Sequence, residues 1–165
     1  MKNKNVTFLV QGAAIAAIYV VLTIVFSAFS FGEIQVRLSE ALTILPVFTS
    51  AAVPGLFAGC IFGNILGGAI LPDIIFGSLA TFIGAIGSYA LRKNRYLCSV
   101  PPVISNALII PFILTYAYHI PGGIPFFMLT VGLGEVISCM VLGQILLTVL
   151  NPIRHRIFPT EEDLT

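Results

Sequence analysis

Four carboxylates of this chain lie outside its C-terminal tail, Glu33, Glu40, Asp73 and Glu135, and the one cation among them is Arg37. Two side-chain amides, Asn64 and Asn106, sit in apolar sequence at comparable positions. Acids and amides without lysines are chemistry for holding a cationic or donor-rich solute, because carboxylates accept from N–H groups and amides offer a donor and an acceptor together. Aromatic rings near the same positions (Phe29, Phe31, Tyr116, Tyr118, Phe126, Phe127) suit stacking on a planar ring or a cation, and equally suit a membrane-interface belt. Catalysis has little to stand on. There is no G-x-x-x-x-G-K-S/T, no H-E-x-x-H and no G-x-S-x-G, and the only imidazoles are His119 and His155. Cys60, Cys98 and Cys139 form an odd set in or beside apolar stretches, without metal-ligand spacing, and read as packing thiols. Neither an enzyme nor a cofactor is expected.

The elements that must position these residues follow from the cations. Lys2 and Lys4 open the chain, Arg92, Lys93 and Arg95 interrupt it, and Arg154 and Arg156 close the last apolar run. The positive-inside rule puts all three clusters on one side, so an even number of spans separates each pair. Val6 to Leu91 holds 86 residues, enough for four helices of about 20 residues each, and Tyr96 to Ile153 holds two. The hydrophobic share is 58%, charged residues are 9% and mean hydropathy is +1.04, where soluble domains carry about 25% charge. The reading is an all-α integral membrane protein: a bundle of six transmembrane helices, both termini cytoplasmic, in a single domain over 1–165.

The helices are placed at 6–29, 38–50, 55–68, 72–91, 99–118 and 125–150. Pro46 should bend the second, Pro72 suits the first turn of the fourth, and Pro101, Pro102 and Pro111 should distort the fifth. Gly55, Gly59, Gly63 and Gly67 line one face of the third and permit close helix contact. The first apolar run exceeds a signal-peptide core and lacks an A-x-A-like site, so it is expected to remain as a helix. The tail, with Glu161, Glu162 and Asp163, reads as a solvated end.

On this topology Glu33 falls in the first outer loop, Glu40 in the first turn of the second helix and Asp73 at the outer start of the fourth. Glu135 lies ten residues into the sixth, about 15 Å deep and near the midplane. An ionised acid there costs about 2.5 to 3.5 kcal/mol and needs a partner, a cavity or a ligand. The simplest geometry is a polar cavity opening outward and closed toward the cytoplasm. Structural roles also exist: Arg37 and Glu40, three apart, suit a pair on one turn; Asp73 suits a helix N-terminus; Asn64 and Asn106 suit bonds between helices.

The segment Val36-Arg37-Leu38-Ser39-Glu40-Ala41-Leu42-Thr43, the run Pro54 to Cys60 with Asn64, the stretch Asp73 to Thr81, Asn106, and Val131-Gly132-Leu133-Gly134-Glu135 together resemble the QueT family. Its members are substrate-binding S components of energy-coupling factor (ECF) transporters. The resemblance implies a six-helix S-component fold, a transmembrane coupling subunit and two cytoplasmic ATPases as partners, and a queuosine precursor as substrate, a deazaguanine such as the aminomethyl form. It implies direct contacts from Glu40, Asp73, Asn106 and Glu135, with Asn64 in support and Arg37 orienting. Ala13 and Ala17 match the A-x-x-x-A motif that docks S components on the coupling subunit, with Gly12 and Ala16 reinforcing that face. The alternatives are an S component for another vitamin-like heterocycle, a self-sufficient proton-coupled cation carrier with Glu135 as its proton site, or a structural membrane subunit.

Overall fold

A computed structural model of the chain describes residues 4–26 and 36–158. Lys2, Phe29, Phe31, Glu33, Glu161, Glu162 and Asp163 lie outside the described residues, as do the end expected for the first helix and most of the loop after it. All regular structure in the described residues is helical. There are six elements: α1 (Lys4–Val25), α2 (Leu38–Val47), α3 (Ala52–Leu66), α4 (Asp73–Ala90), α5 (Leu97–Tyr116) and α6 (Ile124–Ile157). Four of them, α1, α4, α5 and α6, are long and apolar enough to cross a membrane; α2 and α3 are shorter apolar helices.

Polarity is arranged inside out. Large apolar side chains face outward along every long helix, among them Leu9, Val21, Ile83, Leu108, Leu129 and Val149. Buried within are Glu40, Asn64, Asp73, Thr81, Asn106, Glu135 and Ser138. An exterior of that kind is stable against hydrocarbon, where helices satisfy their own backbone groups.

The middle of the bundle is α2, which touches α1, α3, α4 and α6 and is buried at every residue from Ser39 to Pro46. It is wound as a 3₁₀-helix over its ten residues. At about 2.0 Å per residue such a helix reaches about 20 Å, against about 15 Å for an α-helix, so a short segment traverses more of the bundle. The bend expected at Pro46 is replaced by this tighter winding along the whole element. Two long helices are also irregular. α4 opens with a π turn over Asp73–Gly77, and α6 changes from α to π over Val136–Leu142 before resuming as α.

The glycine stripe of α3 does what its spacing predicts, and its partner is α1. A Cβ on Gly55 would lie 2.6 Å from the Gly12 carbonyl oxygen, and one on Gly59 would lie 2.8 Å from the Tyr19 Cβ and 3.0 Å from the Ala16 Cα. Gly12 and Ala16 therefore serve contact within the bundle and do not reinforce an outward docking face. Ala13 and Ala17 are exposed, about 100° further round α1.

The basic clusters meet at one end. Arg92, Lys93 and Arg95, between α4 and α5, line the same cavity as Arg154 and His155 at the close of α6. Thr49, just past α2, donates to Gln11 Oε1 at 2.8 Å and draws the N-terminal half of α1 toward that end.

Gly59→Val tests this packing: forced overpacking costs about 1–3 kcal/mol, so the detergent-solubilised variant should melt several degrees below wild type. Gly132→Ala, whose Cβ meets only Ala107 at 3.7 Å, should melt with wild type. Equal melting of all three would refute the close α1–α3 contact.

Candidate functional site

Glu40 is the centre of the polar cluster. Its Oε1 accepts from the Tyr19 hydroxyl of α1 and from Thr81 Oγ1 of α4, the latter at 2.8 Å. Its Oε2 is buried and has no hydrogen-bond partner among the described residues. Its backbone carbonyl accepts from Thr43 Oγ1 at 2.6 Å and from Cys139 Sγ at 3.5 Å. One carboxylate oxygen is held in place and the other is left available.

Glu135 approaches from α6. Cys139, one turn later, donates to Glu135 Oε2 at 3.2 Å, and ligand atoms of Glu40, Glu135 and Cys139 all lie within 4.8 Å of one another. Asn106 of α5 faces the Glu135 carboxylate, and among the described residues no acceptor lies within hydrogen-bond length of its buried Nδ2. Two carboxylates and an amide thus converge with one acceptor and one donor unused. Buried polar groups are almost always paired, so orphan atoms of opposite kind in one cluster mark where a ligand would bond.

A second station sits toward the other end of the bundle from the arginine clusters. Arg37 Nη2 is 3.5 Å from Asp73 Oδ2, with both side chains buried. Tyr118, in the turn after α5, donates to the same oxygen at 3.1 Å. Burial, and then the Asp73 charge, raise the Tyr118 pKa above its ordinary value, so the hydroxyl keeps its proton and remains a donor. Asn64 Nδ2 donates to the Asp73 carbonyl at 3.3 Å. Among the described residues Asp73 Oδ1 has no partner, and it packs where a Cβ on Gly77 would fall only 2.6 Å away. The side chain fits because residue 77 is glycine.

The structure brings together Glu40, Asn106 and Glu135 in one group, and Arg37, Asn64 and Asp73 in another. The ion pair of Arg37 joins it to Asp73, 36 residues away in sequence, where spacing had suggested Glu40. Asn64 serves as a bond between elements, one of the roles open to it. Ala13 and Ala17 lie outside both groups. Reading the sequence missed Tyr19, Thr81 and Tyr118 as ligands of the acids, and took Cys60 and Cys139 as packing thiols. Both thiols are buried, yet Thr81 Oγ1 and Asn64 Nδ2 lie 3.5 and 3.6 Å from Cys60 Sγ, so they belong to the polar network. A hydroxyl in an apolar run, placed to face the acids, was the available signal. His119 is exposed in a left-handed turn (φ 52°) and belongs to neither group.

Outward apolar helices around gathered acids define a multi-pass membrane protein with an internal polar site. A profile of the family described as QueT transporter matches residues 9–152, and the chain belongs to that family. It is 35% identical over 85 residues to a protein of Lactococcus lactis subsp. cremoris named queuosine precursor transporter QueT. That match covers 50% of this chain and spans half the length of the relative. No solved structure matches the chain.

Removing one member of a buried ion pair costs about 3–5 kcal/mol, because the other charge is stranded. Arg37→Gln should therefore lower the melting temperature sharply, and Asp73→Asn added to it should recover part of the loss. A double variant less stable than the sum of its singles would contradict the pair.

Proposed function

We propose that this chain is the substrate-binding S component of an ECF-type importer and that it captures a queuosine precursor, the aminomethyl deazaguanine, from outside the cell. The observation that carries the reading is the charge imbalance of the interior: among the described residues three buried carboxylates, Glu40, Asp73 and Glu135, face one buried cation, Arg37. Like charges held as close as Glu40 and Glu135 repel, and an ammonium between them converts the repulsion into two charge-assisted hydrogen bonds. The amine is assigned to this pair, the donor-rich ring edge to the free oxygen of Asp73, and the ring carbonyl to the Asn106 Nδ2 donor. Arg37 and Tyr118 then hold Asp73 in position, with Asn64 in support. The Lactococcus relative is named as a queuosine precursor transporter.

The bundle is oriented with both termini and the Arg92–Arg95 loop cytoplasmic, in line with the meeting of the basic clusters at one end. Energy comes from a transmembrane coupling subunit and two cytoplasmic ATPases. Ala13 and Ala17 form the docking face on α1, in keeping with their exposure and with the tight contacts that small residues allow.

Calorimetric titration of the purified chain should show tight binding of the aminomethyl compound. Glu135→Gln should weaken it by about 10–100-fold, the range for a hydrogen bond to a charged group, and leave the neutral cyano analogue within a few-fold. Equal losses for both compounds would remove the ammonium assignment; no binding of either would remove the substrate.

A bulky pair of substitutions, Ala13→Leu with Ala17→Leu, should abolish uptake in cells carrying the coupling module while binding by the purified chain is unchanged. Uptake that persists in those cells, or in vesicles holding this chain alone, would favour the self-sufficient carrier.

A further inference from the structure

The basic end of the bundle holds a cavity that the solute site does not use. Its volume is about 410 Å³, and Arg92, Lys93, Arg95 and Arg154 line it above the paired rings of Phe48 and Phe158, which stack at 5.6 Å with planes 2° apart. Three segments build it: the end of α2, the loop between α4 and α5, and the last turns of α6. The positive-inside rule accounts for cations on this side, but not for their convergence on one cavity.

The arginines are anchored by neutral groups. Arg92 donates to the Tyr89 carbonyl at 3.1 Å and lies 4.0 Å from the centroid of that ring. Arg95 reaches Gln144 Oε1 at 3.4 Å and bonds Thr148. Arg154 donates to Asn151 Oδ1 at 3.1 Å and to His155 Nε2 at 3.2 Å. These contacts fix direction without supplying negative charge. The three described carboxylates are all buried in the polar clusters of the interior, so among the described residues no acid serves as counter-ion here.

We infer that this cavity binds the phosphate headgroup of an anionic phospholipid. The choice of a lipid over a soluble anion rests on what surrounds the cations. Leu91, Leu97, Ile153 and Ile157, on the segments that carry them, are all exposed, and the cavity floor is aromatic. A soluble phosphate would use only the guanidinium and ammonium groups. A phospholipid places its phosphate among them while its chains run along the apolar exterior, and a cluster of basic residues at the end of membrane helices is the expected signature of such recognition.

The test is thermal melting of the full chain in neutral detergent, titrated with phosphatidylglycerol, phosphatidylcholine or inorganic phosphate. Phosphatidylglycerol should raise the melting temperature and phosphatidylcholine should not. At about fivefold per cation near a membrane surface, Lys93→Gln, an exposed single change, should weaken the apparent affinity by about fivefold. Arg92→Gln, Lys93→Gln and Arg154→Gln together should weaken it by about 100-fold. Lys4→Gln removes a charge outside the cavity and should leave the affinity unchanged; melting without lipid reports whether each variant folds. Equal shifts with phosphatidylcholine, or undiminished affinity in the triple variant, would overturn the site. A shift reproduced by inorganic phosphate alone would overturn the lipid as its source. Glu161, Glu162 and Asp163 are the alternative counter-ions in sequence: a lipid effect appearing only after all three are changed to amides would make the tail the occupant and refute the proposal.

Discussion

Everything at the centre of this bundle is arranged around one buried carboxylate, Glu40. Glu40 stands in the first turn of α2, and a buried carboxylate needs donors, which here come from neighbouring helices. Tyr19 of α1 and Thr81 of α4 supply them for one oxygen, and Cys139 of α6 bonds the carbonyl of the same residue. Each contact fixes the rotation of a helix as well as satisfying an atom. The glycine stripe is part of the same requirement: Tyr19 reaches Glu40 while α1 lies against α3, with its Cβ over Gly59. A side chain at position 59 would push away the helix that carries the donor.

The three buried acids share a backbone feature. Glu40 lies on a 3₁₀-helix, Asp73 is the first residue of a π turn, and Glu135 is the last α-helical residue before another. A π turn inserts one residue and rotates all later side chains by about 100° relative to an uninterrupted α-helix. In α6 this lets the polar residues on both sides of the insertion face the interior, Glu135 before it and Ser138 and Cys139 within it. In α4 the widened turn carries Asp73, and Gly77 leaves space for its carboxylate. Such windings are less stable than α-helix and are retained where a site needs side chains that regular spacing would scatter.

The acids and amides were legible in the sequence because charged residues are scarce there and each demands an explanation. The basic clusters and the lengths of apolar chain between them likewise revealed six elements. Their partners were hidden for a physical reason. Tyr19 and Thr81 are ordinary members of apolar helices, and only the rotation of α1 and α4 about their axes turns them inward. Arg37 illustrates a different limit: a three-residue spacing argues for a local pair when the backbone is α-helical, but here the segment is 3₁₀ and Arg37 stands at its edge, free to reach across to α4. Gly12 and Ala16 share the small-residue face of α1 with Ala13 and Ala17 in one dimension; which pair meets α3 depends on the packing of two helices.

The orphan atoms Glu40 Oε2, Asp73 Oδ1 and Asn106 Nδ2 carry a consequence for stability as well as recognition. Each buried polar atom without a partner costs about 1–3 kcal/mol, so the unliganded protein is held below the stability its packing alone would give. A ligand that satisfies them returns that free energy on binding, and by linkage stabilises the folded state by about 2.7 kcal/mol when present at 100 times its dissociation constant. On the proposed function, recognition and rigidity are therefore coupled in these acids. A substitution that removes the repulsion at Glu135 is expected to make the empty protein firmer while making it a poorer receptor, which is the opposing pair of effects that separates a binding residue from a structural one.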